Sequence, residues 1–460
     1  MASPRTLNKG SKPPPKIVSA SGSTIRLHGG KVLLDACSGV GVSCFGYRSE
    51  EVARAIEVQM ATVPYAYSSA FSADICDVLA KEILQDCPGG LEYVAFFSSG
   101  SESTEAALKI VTQYWREKGE DRTKFISRHH SYHGSTLGAL SVSGHLDRRA
   151  PYSSWLSKNV SFVETCYPFR GQPEDMTEDG YVASLKHQLE AEFHRLGPSN
   201  VAAFVAETMP GTTLGCVPAS KGYFRAVREV CDKHGALLVL DEVMCGMGRT
   251  GSYHAWQQEE GFRGPDVQMI SKSLSGGFIP LSAILVHGTV VEAIRKGSGS
   301  LNHSQTFQAH PLACAAALEV QRKLRRDGTM SNIVEVGRYL GAALEELILP
   351  LPYVGDVRGR GLLWAVEFVA DKETKGEFPA RSNFAQSVVA AAFENGLYVH
   401  GASARSGSFD VQYVMLAPWF LITKPEAMRI VNKLKIAIQD ASREWTQSGS
   451  RHAKAREAML

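Results

Sequence analysis

Short apolar stretches alternate with longer amphipathic ones through the middle of this 460-residue chain, and no other feature constrains its fold more. Residues 93–97, 124–127, 201–206, 236–240 and 282–286 are β-like runs. Between them, 101–118 places Ala107, Ile110, Val111 and Tyr114 on one helical face, and 223–234 has the same period. Strand alternating with helix predicts an α/β architecture, a parallel sheet wound on both faces by helices. Beyond about residue 325 the texture becomes helix (331–347), strand (361–368), helix (380–395), strand and a last helix from Pro425, which predicts a smaller α+β unit. Residues 17–35 read as a hairpin turned at Gly29 and Gly30 that joins this unit. Residues 1–16 carry Pro13, Pro14 and Pro15 in a row and four Lys/Arg but no apolar signal core, and are expected to be a mobile tail, as 447–460 are expected to fray.

Charge and composition exclude more than they name. Lys+Arg 49 against Asp+Glu 47 leaves a net charge of +2, too small a field to hold a phosphate backbone, so nucleic acid is not an expected partner. Hydrophobic residues make up 44%, yet no apolar run approaches the roughly 20 residues of a spanning helix, so a membrane is not expected either. Nine cysteines stand singly without a Cys-x-x-Cys pair, which signals neither a disulfide framework nor zinc and suggests a reducing, cytoplasmic setting.

Several short constellations could carry chemistry, and each has a plainer reading beside it. Ser99, Gly100, Ser101 and Glu102 follow the run at 93–97 and open a helix. Free N–H groups and the positive dipole end there suit an anion, although a capped helix without a ligand has the same sequence. Asp241 and Glu242 end the run at 236–240, where open α/β sheets bind ligands, or else form a solvated pair. Lys272, just after 267–270, is a candidate amine nucleophile or an ordinary loop lysine. Gly246, Gly248 and Gly251 match Gly-x-Gly-x-x-Gly, but two acids and residues 243–245 separate them from the strand, so a nicotinamide site is disfavoured. His129, His130 and His133 lack an acidic ligand at helical spacing, and no metal is expected there. In combination, an anion cradle at 99–101, an aromatic at 132, an acid at 241 and a lysine at 272 are the parts that hold a phosphorylated aromatic aldehyde such as pyridoxal 5′-phosphate.

With 34–39, Tyr132-His133-Gly134, 240–243, 246–251, Ser271-Lys272, Thr306-Phe307 and 357–361 added, the chain from about residue 17 to 445 resembles the class III, or omega, pyridoxal-phosphate aminotransferases of fold type I. The resemblance implies a large domain (61–325) with a mostly parallel seven-stranded sheet, and a small α+β domain built from 17–60 and 326–446. It implies that Lys272 is the Schiff-base lysine and proton shuttle, that Asp241 keeps the pyridine nitrogen protonated, and that Val243 and Tyr132 cover the two ring faces. Ser99, Gly100 and Ser101 would hold the phosphate, with Thr306 reaching over from the second subunit of a homodimer. His133 would belong to the cofactor site, and Glu207 would support the Asp241 region. The implied reaction is ping-pong transfer of an amino group from an amine donor to pyruvate or 2-oxoglutarate; aminomutase, decarboxylase or racemase chemistry on the same fold is the alternative. Many relatives carry an arginine where this chain has Met415, and a second proline where it has Trp419. A methionine cannot bind a carboxylate, so an apolar or extended amine is the expected donor, with Arg405 the candidate counter-ion for a keto acid. The loop 40–45 and Tyr65, Tyr67 and Phe71 are further expected pocket walls.

Overall fold

The computed structural model describes residues 6–7, 13–85, 87–326, 328–379, 382–406 and 409–457, with side chains left undescribed at 403–406 and 448–457. Its centre is a seven-stranded sheet in the order Leu91–Phe97, Ser282–His287, Val267–Ile270, Leu237–Asp241, Val201–Glu207, Lys124–Arg128, Val160–Val163. Ser282–His287 alone runs against its neighbours, pairing antiparallel on both sides. The other six therefore share one direction, and their carboxyl ends share one edge. Val201–Glu207 and Leu237–Asp241 are buried along their whole length, which is why they read as continuous apolar runs rather than alternating ones. The helix Gly100–Glu117 packs Ala106, Ala107, Ile110 and Val111 into the core on one face. On the other face, Glu178–Leu196 and Tyr223–His234 contribute Leu185, Leu189, Phe224 and Val227.

Two smaller sheets complete the fold. In one, Ile17–Ser21, Thr24–Leu27 and Val32–Asp35 form an antiparallel meander, and Leu397–Tyr398 pairs parallel to the last of them. The expected single hairpin thus becomes three strands, because a second turn at Gly22 divides the first half. In the other, Val354–Arg360, Leu363–Phe368, Phe409–Leu416 and His400–Ser406 pair antiparallel beneath Thr329–Leu347, Phe384–Glu394 and Lys424–Glu457. The last helix runs on past 446, through a stretch of good helix formers at 453–457. Among the described residues no helix is long and apolar enough to cross a membrane.

Candidate active site

The site forms where the shared strand edge meets the loops that leave it. Glu207 and Asp241 end adjacent parallel strands in register, so their side chains emerge side by side. Glu207, Asp241 and Glu242 are all buried, which removes the solvated-pair reading of the acids at 241–242. Asp241 accepts the Val243 N–H (2.9 Å) and faces His133 Nδ1 (2.8 Å). Glu207 accepts the Tyr132 N–H (3.1 Å), and its own carbonyl accepts Arg128 Nη2. Burial pushes the Glu207 carboxyl up to about 7; nearby His133 opposes that rise and Asp241 adds to it. Glu242 points to the opposite face of the strand end. There it accepts Thr208 Oγ1 (2.8 Å), Gln268 Nε2 (2.8 Å) and the Ala255 and Trp256 N–H groups (2.7 Å each), so it anchors a loop and faces away from the cavity.

Lys272 follows Val267–Ile270 in a short turn and holds a left-handed backbone, φ 41°, rare for a residue with a side chain. Its ammonium is pushed down by burial, against the pull of Asp241. A lysine so placed gives up its proton more readily than one in water. The turn after Leu91–Phe97 brings the third component. Ser99 caps the helix by accepting the Glu102 N–H (3.3 Å), while Glu102 Oε2 accepts the N–H of Ser98. The Gly100 and Ser101 amides, in the first helical turn, remain for a ligand. Ser282 Oγ donates to the Ser99 carbonyl (2.6 Å) and Ser101 Oγ accepts the Ser135 N–H (3.0 Å), which fixes the turn against both neighbours. A Cβ on Gly100 would lie 2.9 Å from Val243 Cγ1, so only glycine lets this turn close on the acid-bearing loop.

A cavity of about 190 Å³ is lined by Ser99, Gly100, Ser101, Tyr132, His133, Gly134, Glu207, Asp241, Val243 and Lys272, together with Met209, Thr212, Met244 and Cys245. Residues 6–438 of the chain match the sequence profile described as "Aminotransferase class-III". The chain belongs to the class III aminotransferases.

This aminotransferase is 41% identical to an aminotransferase of Gibberella zeae over 93% of its own length and 84% of the relative's. It is 34% identical to the putrescine–pyruvate aminotransferase of Pseudomonas aeruginosa, over 79% of this chain and 78% of that one. A solved transaminase obtained by ancestral reconstruction superposes with a TM-score of 0.89 at 32% identity, covering 96% of this chain and 97% of the other. The aminotransferase is a pyridoxal-phosphate enzyme of fold type I. Its cavity fits that cofactor on structural grounds: a helix N-terminus with free amides for a phosphate, an amine for an aldehyde, a buried acid for a ring nitrogen, and Tyr132 and Val243 to flank a ring.

The remaining expected residues lie elsewhere. Thr306 is exposed and its carbonyl accepts Tyr65 Oη (3.0 Å); Tyr65 meets Phe307 edge-on, and Tyr67 and Phe71 are exposed beside 65. None of these lines the cavity of its own chain. Met415 is fully buried in an apolar cluster with Cys37, Tyr167, Met209, Met244 and Tyr413, behind the cavity wall rather than on it. Trp419 packs over Gly22 and the small-domain core, also away from the cavity. Arg405 stands on His400–Ser406 with its side chain outside the described residues. The glycines at 246–251 open no helix. Their loop docks on the small sheet, with Arg249 Nη1 donating to the Leu362 and Pro418 carbonyls and Gly361 so close that a Cβ would meet Thr250 C at 2.5 Å. This close docking removes the nicotinamide reading. Of the three histidines, His129 stacks on Phe162, His130 on Phe409, and only His133 reaches the cavity.

Sequence reasoning missed Met209, Thr212, Met244 and Cys245. They sit in irregular loops with no periodicity, and their place in the cavity depends on long-range ties. Tyr413 Oη donates to the Thr212 carbonyl (2.6 Å), and Arg358 donates to the Leu214 and Gly215 carbonyls, so the small sheet holds the 209–215 loop over the strand ends.

Proposed function

We propose that this enzyme transfers the amino group of an apolar or extended amine, without a carboxylate near the reacting carbon, to a keto acid, pyruvate or 2-oxoglutarate, in two alternating half-reactions. The observation that carries this reading is the convergence of Lys272, Asp241 and the Ser99–Ser101 turn on one cavity whose inner wall is apolar at Met209, Met244 and Cys245. When bound, pyridoxal phosphate supplies an aldehyde that condenses with amines and a ring that takes up the electron pair left when a proton leaves the substrate carbon.

The chain's own residues supply the rest. Lys272, with its proton affinity lowered by burial, is the amine that binds the aldehyde covalently and afterwards carries the proton from the substrate carbon. Asp241, oriented by His133 and the Val243 N–H, holds the ring nitrogen in its protonated form. The amides and hydroxyls at 99–101 fix the phosphate, and Tyr132 and Val243 restrain the ring. Glu207 stands beside Asp241 and receives the Tyr132 N–H, which places the tyrosine. Thr306, exposed with Tyr65, Tyr67 and Phe307 on one surface, is assigned to the phosphate site of a second copy in a homodimer, with the exposed aromatics at the shared face. Nine free cysteines accord with a reducing, cytoplasmic compartment.

The test is a panel of amine donors against pyruvate and 2-oxoglutarate. A plain amine alone should bleach the visible band of the holoenzyme and release a carbonyl product, and a keto acid should restore the band. Release of carbon dioxide, or an isomerised product with no keto acid consumed, would overturn the transaminase reading.

A further inference from the structure

The helices Glu178–Leu196 and Tyr223–His234, which cover one face of the large sheet, meet toward their carboxyl ends in a cluster that the proposed reaction does not use. Among the described residues, Glu190, His194 and His234 are the one trio of His, Cys, Asp or Glu whose ligating atoms all lie within 4.8 Å of one another. Glu190 and His194 are four apart on one helix and so share a face. His234 closes the other helix just before the strand Leu237–Asp241 begins. The cluster therefore sits at the amino edge of the sheet, whereas the cavity opens at the carboxyl edge, where Asp241 lies.

Both imidazoles turn Nε2 toward the same atom, Glu190 Oε1, His234 at 2.8 Å and His194 at 3.3 Å. Zinc held by two imidazoles and a carboxylate, at bond lengths of about 2.0–2.2 Å, sets neighbouring ligand atoms about 3.3–3.5 Å apart in a tetrahedron. The His194 spacing already has that value, and the His234 spacing reaches it by opening about half an ångström. Neighbours hold the His234 ring in place. It stacks on the buried Phe193, 4.8 Å between centroids and 16° between planes, and Arg122 Nη1 donates to the His234 carbonyl (2.9 Å). His194 meets His234 edge-on, at 5.4 Å and 87°, so the two nitrogens approach the carboxylate from different directions. Lys233 competes for Glu190 Oε1, but its side chain is 62% exposed and its pair with the carboxylate is a surface one. Such a pair is weak, and the ammonium can withdraw into water when a dication arrives.

We propose that Glu190, His194 and His234 form a zinc site, with water at the fourth position, that clamps Glu178–Leu196 to Tyr223–His234. The site stands apart from the transamination and does not depend on it.

The experiment titrates chelator-treated holoenzyme with Zn²⁺ alone against a chromophoric competitor. The variants are His194→Ala, Glu190→Gln and Lys233→Met. Wild type should bind one ion per chain, and X-ray absorption should show nitrogen and oxygen neighbours at about 2.0–2.2 Å. His194→Ala and Glu190→Gln should each weaken binding about 100-fold or more, beyond what loss of a supporting partner costs. Lys233→Met, freed of the competing ammonium, should bind more tightly than wild type. Saturating Zn²⁺ should raise the melting midpoint of wild type by about 2–4 °C and leave that of His194→Ala unmoved, with transamination rates equal in the two proteins. His194 is exposed, so its alanine variant tests the site without disturbing the core. Absence of saturable binding, or equal affinity in wild type and His194→Ala, would overturn the site. So would sulfur neighbours at about 2.3 Å, which would assign the ion to cysteines.

Discussion

His133 Nδ1 stands 2.8 Å from Asp241 Oδ2, and both side chains are buried at the floor of the cavity. A carboxylate only accepts, so Nδ1 carries the proton, and the other carboxylate oxygen takes the Val243 N–H. Asp241 is thus held by two donors on different loops, with lone pairs left for a ring nitrogen.

Replacing His133 with leucine removes one of those donors without adding charge. Loss of a hydrogen bond to a charged acceptor predicts a fall of about 10- to 100-fold in cofactor affinity and kcat together. Cofactor titration and steady-state rates check it, and an unchanged affinity would show that the Val243 amide alone suffices.

Gly100→Ala tests the close approach of the phosphate turn to the acid-bearing loop. The new Cβ would meet Val243 Cγ1 at 2.9 Å, inside any normal contact. The expected cost is about 1–3 kcal/mol of stability, with weaker cofactor binding because the turn must withdraw. Adding Val243→Ala should recover most of both, a coupling that thermal melts of the single and double variants would reveal.

Glu207 gives the cofactor-free protein a pH signature. Burial raises its carboxyl from 4.5 to about 7, so the folded chain binds this proton more tightly than the unfolded chain. Its contribution is fully present below about 4.5 and is lost as pH rises through about 7. Stability relative to Glu207→Gln should therefore fall across that window, by at most about 1.4 kcal/mol per pH unit. Parallel urea-midpoint profiles for the two proteins between about pH 5 and 8 would contradict this.

Met415 separates a wall residue from a core residue. Its full burial predicts that Met415→Leu costs less than about 1.5 kcal/mol. Met415→Arg, which buries an unpaired guanidinium, should cost about 3 kcal/mol or more. If Met415→Arg is instead stable and gains carboxylate-bearing donors, the side chain faces substrate.

The large sheet was legible because its central strands are buried on both faces and so read as unbroken apolar runs. The edge strand Val160–Val163 was not, being four residues long with a serine inside it. Lys272, Asp241 and the Ser99–Ser101 turn were legible as a set because each lies at or just past the carboxyl end of a strand, and parallel strands bring those ends to one edge. Met209 and Met244 were illegible for the converse reason: irregular loops bring them in through contacts with residues far away in the chain. Met415 shows the limit of a position read without its neighbours, since its strand offers two faces and register alone decided which one it took.

The proposed chemistry stands on Lys272 as the amine that holds the cofactor. Borohydride reduction of the yellow holoenzyme and peptide mass mapping of the product test it directly. A phosphopyridoxyl label on Lys272, absent from Lys272→Ala, is the expected result; a label on another lysine, or none with the colour retained, would assign the cofactor to a different amine.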